Sequence, residues 1–241
     1  MKKYLTACIL AIVLCSCAKS IYSLRGNWMN KRYMVDRMTN GEKMIVYIGV
    51  IHINTPEYYQ KIKKDIDSLR AVGYSIMYEG ILTTDSPQTK ERQELLDRKL
   101  RKVLGVHTTN YIDSTNQDMK SFNVKGFVNQ TSENTGINRL TDHHADLSLE
   151  QLITLYEERK GPIILTKCDL ETKLGEKYKC SKREKDNFNY LLLTLRNEYL
   201  TNTVLTHTNN KIAILYGNQH KYGLLHNLKQ HDPKWKLLPI Q

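Results

Sequence analysis

The sequence predicts an α/β fold: a central, mostly parallel β-sheet flanked by helices, with a strand–Gly-x-x-His–helix module near each end of the domain. Three observations carry this. Met44 to Gly49 is apolar throughout, without the alternation of a half-solvated strand, as in parallel sheets covered on both faces. A strand, a helix and a second strand follow one another between Met44 and Tyr78, the length of a right-handed βαβ crossover. Finally, "MIVYIGVIH" and "IAILYGNQH" share a buried strand, a glycine directly after it and a histidine three residues on.

Each element has a local cause. Thr55 is placed to cap a helix with Pro56 at its first position. Tyr58, Ile62, Ile66, Leu69 and Val72 form its apolar stripe, and Gly73 stops it. Tyr74 to Tyr78 is the second strand, ending at Glu79-Gly80. Ser86-Pro87 opens a helix to about Leu104, with Leu95, Leu96, Leu100 and Val103 on its apolar side. Residues 106 to 146 are polar, and within them Asp142-His143-His144 reads as a loop entering the next helix, with Asp146 supporting its cap. Ser148 and Gln151 form a capping box for a helix through about Glu158. Pro162 to Thr166 has no clear assignment. A long helix is expected from about Lys182 to Leu205, and a last strand from Trp235 to Ile240.

The chain has 241 residues, 40% apolar and 25% charged, which suits one globular domain rather than a disordered chain. Residues 1–16 combine Lys2-Lys3 with a short apolar run, Leu5 to Leu14, too short to span a bilayer and suited to a signal peptide. Leu14-Cys15-Ser16-Cys17 resembles a bacterial lipobox, which implies cleavage before Cys17, acylation of that residue, and anchoring of an exported lipoprotein in the cell envelope. Residues 17–42 then read as a tether and 43–241 as a single α/β domain. Cys168 and Cys180 remain; they either pair as a disulfide or stay as two thiols, and their spacing fits no CxxC site. The formal charge of +11 favours anionic partners or a membrane surface. The basic residues are spread without aromatic interleaving, so no nucleic-acid partner is expected.

Functionally, the paired Gly-x-x-His junctions matter most. In parallel sheets ligands sit at the carboxyl ends of the strands. A glycine there is expected to let the backbone turn so that the histidine folds back over the strand end. Glu79, amid apolar residues, should reach the same edge and needs a cation, because an unpaired buried carboxylate is costly. Two imidazoles and a carboxylate, His52, His220 and Glu79, suit a divalent metal able to acidify water.

Gly49-Val50-Ile51-His52 and Gly217-Asn218-Gln219-His220, with Tyr78-Glu79-Gly80-Ile81 and Arg196-Asn197, resemble the motifs of the TraB/PrgY/Tiki (TraB/GumN-like) family, within the erythromycin-esterase-like and ChaN-like fold group. The resemblance runs from about Met44 to Leu228, with Val50 and Leu195 as departures from its usual residues. It implies a metal-dependent hydrolase that cleaves a peptide bond with metal-activated water. His52, Glu79 and His220 would be ligands of Mn, Co or Zn, and Glu79, Arg196 and Asn197 catalytic residues. Gly49, Gly80 and Gly217 would shape the site. The ChaN-like side of the group implies instead a binder of haem or iron, for which the Tyr58-Tyr59 pair is a candidate, and a peptide-sequestering protein is a further alternative.

Overall fold

The computed structural model describes residues 33–81, 90–108, 112–120 and 123–239. The signal segment, Cys17 and Ser86-Pro87 lie outside the described residues. Among those described, no helix is long and apolar enough to cross a membrane.

In chain order, β1 (Met34–Thr39) and β2 (Met44–Val50) form an antiparallel hairpin. After β3 (Ile53–Asn54), helix α1 (Pro56–Ala71) leads to β4 (Ser75–Tyr78). Helix α2 (Lys90–Leu104) precedes β5 (Val128–Asn129), α3 (Ser132–Thr135) and β6 (His143–His144). Helices α4 (Leu149–Lys160) and α5 (Lys167–Glu171) follow. Then α6 (Lys185–Asn189) runs through a π-helical segment, Tyr190–Leu195, into α7 (Arg196–Thr206). The chain closes with β7 (Lys211–Gly217), a 3-10 turn Asn218–His220, α8 (Lys221–His231) and β8 (Lys236–Leu237).

The main sheet has six strands in the order β6-β4-β7-β2-β1-β8, beside a two-stranded β3-β5 ribbon. β7 is parallel to both of its neighbours, in register from Met44↔Lys211 to Val50↔Gly217 on β2 and from Ser75↔Ile212 to Tyr78↔Leu215 on β4. β6 adds in parallel to β4, while β1 and β8 extend the other edge antiparallel to their neighbours. The fold class expected from sequence is therefore observed.

Both sheet faces are covered, which is why the central strands show no polar alternation. On one face Val46, Ile48, Ala213 and Leu215 pack with Tyr59, Ile62 and Ile66 of α1. On the other, Ile45, Tyr47, Ile214 and Tyr216 meet Leu200 and Val204 of α7 and Leu224 and Leu228 of α8. A third apolar cluster lies apart from the sheet: Leu96, Leu100 and Leu104 of α2 with Leu152 of α4 and Leu191 and Leu195 of the π segment.

Several expectations need correction. The polar entry segment contains β1, since six residues of it pair with β2. Thr55 occupies the N-cap position of α1 but its side chain makes no cap bond, and Val72 is 60% exposed rather than part of the stripe. Asp142-His143-His144 is not a plain loop: His143 and His144 pair with Met77 and Tyr78 as the edge strand β6. The long helix is interrupted by the π segment. By contrast, the Ser148–Gln151 capping box forms with both reciprocal bonds. Cys168 and Cys180 are joined in a disulfide with Cα atoms 5.7 Å apart. The loop it closes presents the carbonyls of Asp169, Thr172 and Lys173 to Arg98 and Arg101, fastening it to α2.

Candidate functional site

Three adjacent parallel strands, β2, β7 and β4, end side by side. The Glu79 N–H donates to the Leu215 carbonyl (3.1 Å), carrying the β4–β7 pairing one residue past β4. His52 follows β2, Glu79 follows β4, and His220 follows β7 between them. The sheet order alone thus gathers the three residues at one edge.

Glu79 is the hub. Its buried side chain accepts from Arg196 Nη2 at Oε1 (2.5 Å) and from the Gly217 N–H at Oε2. His220 Nε2 lies 3.7 Å from Oε1, and His52 Nε2 lies 3.9 Å from Oε2. Burial alone would raise the Glu79 carboxyl, but the Arg196 guanidinium, with help from the two imidazoles, outweighs it and holds the pKa down at about 2. Glu79 is therefore an anion at neutral pH.

Arg196 is clamped from below by Asp146, which accepts from its Nε at 2.9 Å and its Nη2 at 2.6 Å. The same carboxylate accepts from the N–H groups of Gly80 and Leu147, so all of its capacity goes to this corner. Such a fork-on-fork pair fixes orientation as well as charge. The guanidinium also faces His220, with Nη1 3.3 Å from Nε2. On the far side of that ring, Nδ1 donates to Asn197 Oδ1 at 2.8 Å. Burial first, and the Arg196 charge second, lower the His220 pKa to about 4. His220 is thus a neutral, buried imidazole with both nitrogens engaged.

His52 differs. Its side chain is 35% exposed and its Nδ1 donates to Gln130 Oε1 at 3.0 Å, while the Gln130 N–H returns to the His52 carbonyl at 2.8 Å. The β3–β5 ribbon brings Gln130 there. Upstream, the Tyr59 hydroxyl donates to the Ile51 carbonyl and the Tyr58 hydroxyl accepts from the Ile51 N–H, which pins the turn that presents His52. Both tyrosines are buried.

The glycines act by close approach, not by the backbone freedom expected from sequence. Neither Gly49 nor Gly217 has a positive φ; Gly217 lies at −54°. A Cβ on Gly49 would sit 2.7 Å from Asn218 Oδ1. One on Gly217 would sit 3.1 Å from Glu79 Oε2 and 3.5 Å from both His52 Nε2 and the His220 ring. Gly80 serves through its backbone, donating to Asp146 and accepting from His144 Nε2 at 2.5 Å. A further glycine, Gly223, admits Asn197: a Cβ there would lie 2.0 Å from its Nδ2.

His52, Glu79 and Arg196 line a cavity of about 540 Å³ whose other walls include Asp97, Leu100, Leu104, Leu149 and Leu192. The residues expected from sequence at the site (His52, Glu79, Arg196, Asn197, His220 and the three glycines) are brought together. Cys168 and Cys180 lie elsewhere, against α2. Sequence reasoning missed Gln130, assigned Asp146 only to a helix cap, and missed the role of the tyrosine pair. The one available signal for Asp146 was chemical, since a buried Arg196 requires a carboxylate.

As for a metal, the notch left by Gly217 brings His52 Nε2 and Glu79 Oε2 near each other, a nitrogen–oxygen pair suited to a divalent cation. The third expected donor, His220 Nε2, faces Arg196. No group of three or more His, Cys, Asp or Glu among the described residues is arranged as a metal cage. Compared with known proteins, the chain matches no family model, and no curated protein or solved structure is detectably similar to it.

Proposed function

We propose that this chain is an exported, membrane-anchored hydrolase that cleaves an amide bond of a peptide at the His52–Glu79–Arg196 corner. One observation carries this reading. A partly exposed imidazole and a buried guanidinium meet on a single buried carboxylate at the wall of a substrate-sized cavity.

Gln130 holds His52 with the proton on Nδ1, so Nε2 is the atom that takes a proton from an attacking water. Glu79, ionised beside it, stabilises the imidazolium that forms. Arg196 supplies fixed positive charge to the oxygen that becomes negative as water adds to the carbonyl. His52 then returns its proton to the leaving nitrogen, which balances the reaction as addition of one water across the amide. Asn197 and His220 position Arg196 and do not touch the substrate. A divalent ion, where bound, would be held by His52 and Glu79 and would add Lewis-acid activation of the water.

The test is the full-length chain in detergent, offered an acetylated peptide library with and without Mn, Co or Zn, with metal content measured on the same sample. Cleavage that is lost in His52→Ala supports the reading. Absence of cleavage under every condition overturns it.

A second reading has its own support, because both oxygens of Glu79 are already bonded within the protein. A non-enzymatic binder would hold peptide unchanged and indifferently to chelators. A haem or iron carrier would give a Soret band on haem addition.

A further inference from the structure

The charge on the remaining wall of the cavity singles out Asp97. Asp97, Leu100 and Leu104 are spaced i, i+3 and i+7 on α2, and all three line the cavity. The two leucines join Leu149 and Leu192 in an apolar wall, and Asp97 is the only carboxylate besides Glu79 among the described lining residues.

Among the described residues, Asp97 forms no ion pair with a lysine or arginine. Its hydrogen-bond partner among the described residues is an amide, Gln93 Nε2, at 3.2 Å. Five of the six cations of its own helix are engaged elsewhere: Arg92 with Glu150, Arg98 with Glu94 and the Asp169 and Thr172 carbonyls, Lys99 with Glu157, Arg101 with carbonyls of the disulfide loop, and Lys102 with Asp169; the sixth, Lys90, is exposed at the start of the helix. His107 acts on it through charge. Burial raises the Asp97 carboxyl, against smaller lowering contributions from Gln93 and His107. In a chain of net charge +11, this half-buried carboxylate is bonded to an amide rather than to a cation, and it lines the cavity. Arg139 also lines the cavity, held by Ser132, so the lining offers charges of both signs.

We propose that Asp97 selects the substrate of this cavity by pairing with a cationic group, an ammonium or guanidinium, carried on a peptide beside apolar side chains. The inference rests on the cavity being the substrate site. It adds that the preferred peptide is basic and hydrophobic, the cation at Asp97 and the apolar side chains on the α2 leucines.

Binding decides it. The full-length chain in detergent is titrated with acetylated leucine-rich pentapeptide amides that differ only at the centre: lysine, norleucine or glutamate. The lysine peptide should bind about tenfold tighter than the norleucine peptide. Asp97→Asn should erase that preference with the norleucine affinity and thermal midpoint unchanged, and Asp97→Lys should turn it towards glutamate. Equal binding of lysine and norleucine peptides to the wild type overturns the proposal. So does a lysine preference that survives in Asp97→Asn, or no binding of any of the three at about 1 mM. Cleavage followed in the same samples keeps the two readings apart. Turnover without lysine preference removes Asp97's role alone, and lysine preference without turnover removes only the hydrolase.

Discussion

The two Gly-x-x-His junctions share one sequence pattern and are opposite in environment. His220 follows β7, which has a parallel neighbour on each side, and it is 4% exposed beneath α7. His52 follows β2, whose outer neighbour is the antiparallel β1, and it faces the cavity. After β7 the chain turns at once into a helix, whereas after β2 it makes the small β3–β5 ribbon. One motif thus yields an interior imidazole bonded into the frame and a partly exposed imidazole on the cavity wall. Position in the sheet, not the motif, sets the role.

The largest test of this division acts on what the junctions share. Arg196→Met leaves Glu79 and Asp146 buried without their cation, and should cost about 3–5 kcal/mol in urea denaturation along with all activity. Arg196→Lys should recover only part, because an ammonium cannot reproduce the forked bonds to Asp146.

Next comes the contrast between the junctions themselves. His220→Ala strands Asn197 and Arg196 donors and acceptors, and should destabilise by about 1–3 kcal/mol. His52→Ala, on a partly solvated residue, should change stability by no more than about 0.5 kcal/mol while abolishing turnover. Equal losses of stability at the two sites would erase the distinction.

The glycines give a third comparison. Gly223→Ala drives a methyl into Asn197 and should cost about 1–3 kcal/mol. Gly80→Ala, where a Cβ meets nothing within 4 Å, should be tolerated within about 0.5 kcal/mol.

The last comparison is of pH dependence. His220 is held near 4 when folded against an ordinary 6.5, so the unfolded chain binds its proton first. Its contribution is present above pH 6.5 and is lost as pH falls from 6.5 to 4. Glu79, at about 2 against an ordinary 4.5, contributes above 4.5 and loses that contribution between 4.5 and 2. Denaturation midpoints measured against pH should therefore fall in two stages. His220→Asn should shrink the upper stage, which His107 and His207 share, and Glu79→Gln the lower one, which Asp169 shares.

Much of this was legible in the chain. The unbroken apolar runs of β2 and β7 revealed a two-sided sheet, and the repeated glycine–histidine spacing located the strand ends where His52, Glu79 and His220 gather. The Ser148–Gln151 capping box was readable because its bonds are local. What was not legible depended on contacts distant in sequence. Asp146 meets Arg196 across 50 residues from just past a two-residue strand, with no periodicity to reveal it. Gln130 meets His52 across 78 residues, and β1, one strand in from the sheet edge, has half its residues exposed. The reason for the glycines was also invisible, because it lies in the side chains that approach them rather than in their own backbone angles.

The π segment Tyr190–Leu195 gives the rod that carries Arg196 a change of phase. An α-helix advances about 100° per residue, so a single added residue rotates everything before it relative to everything after it. Leu191 and Leu195 turn to the cluster built on α2 and α4, while Leu200 and Val204 turn to the sheet. Arg196 and Asn197 sit where the two phases meet. Deleting one residue there would leave each half well packed in itself but would misaim one of them, so the site depends on the length of this segment as much as on its composition.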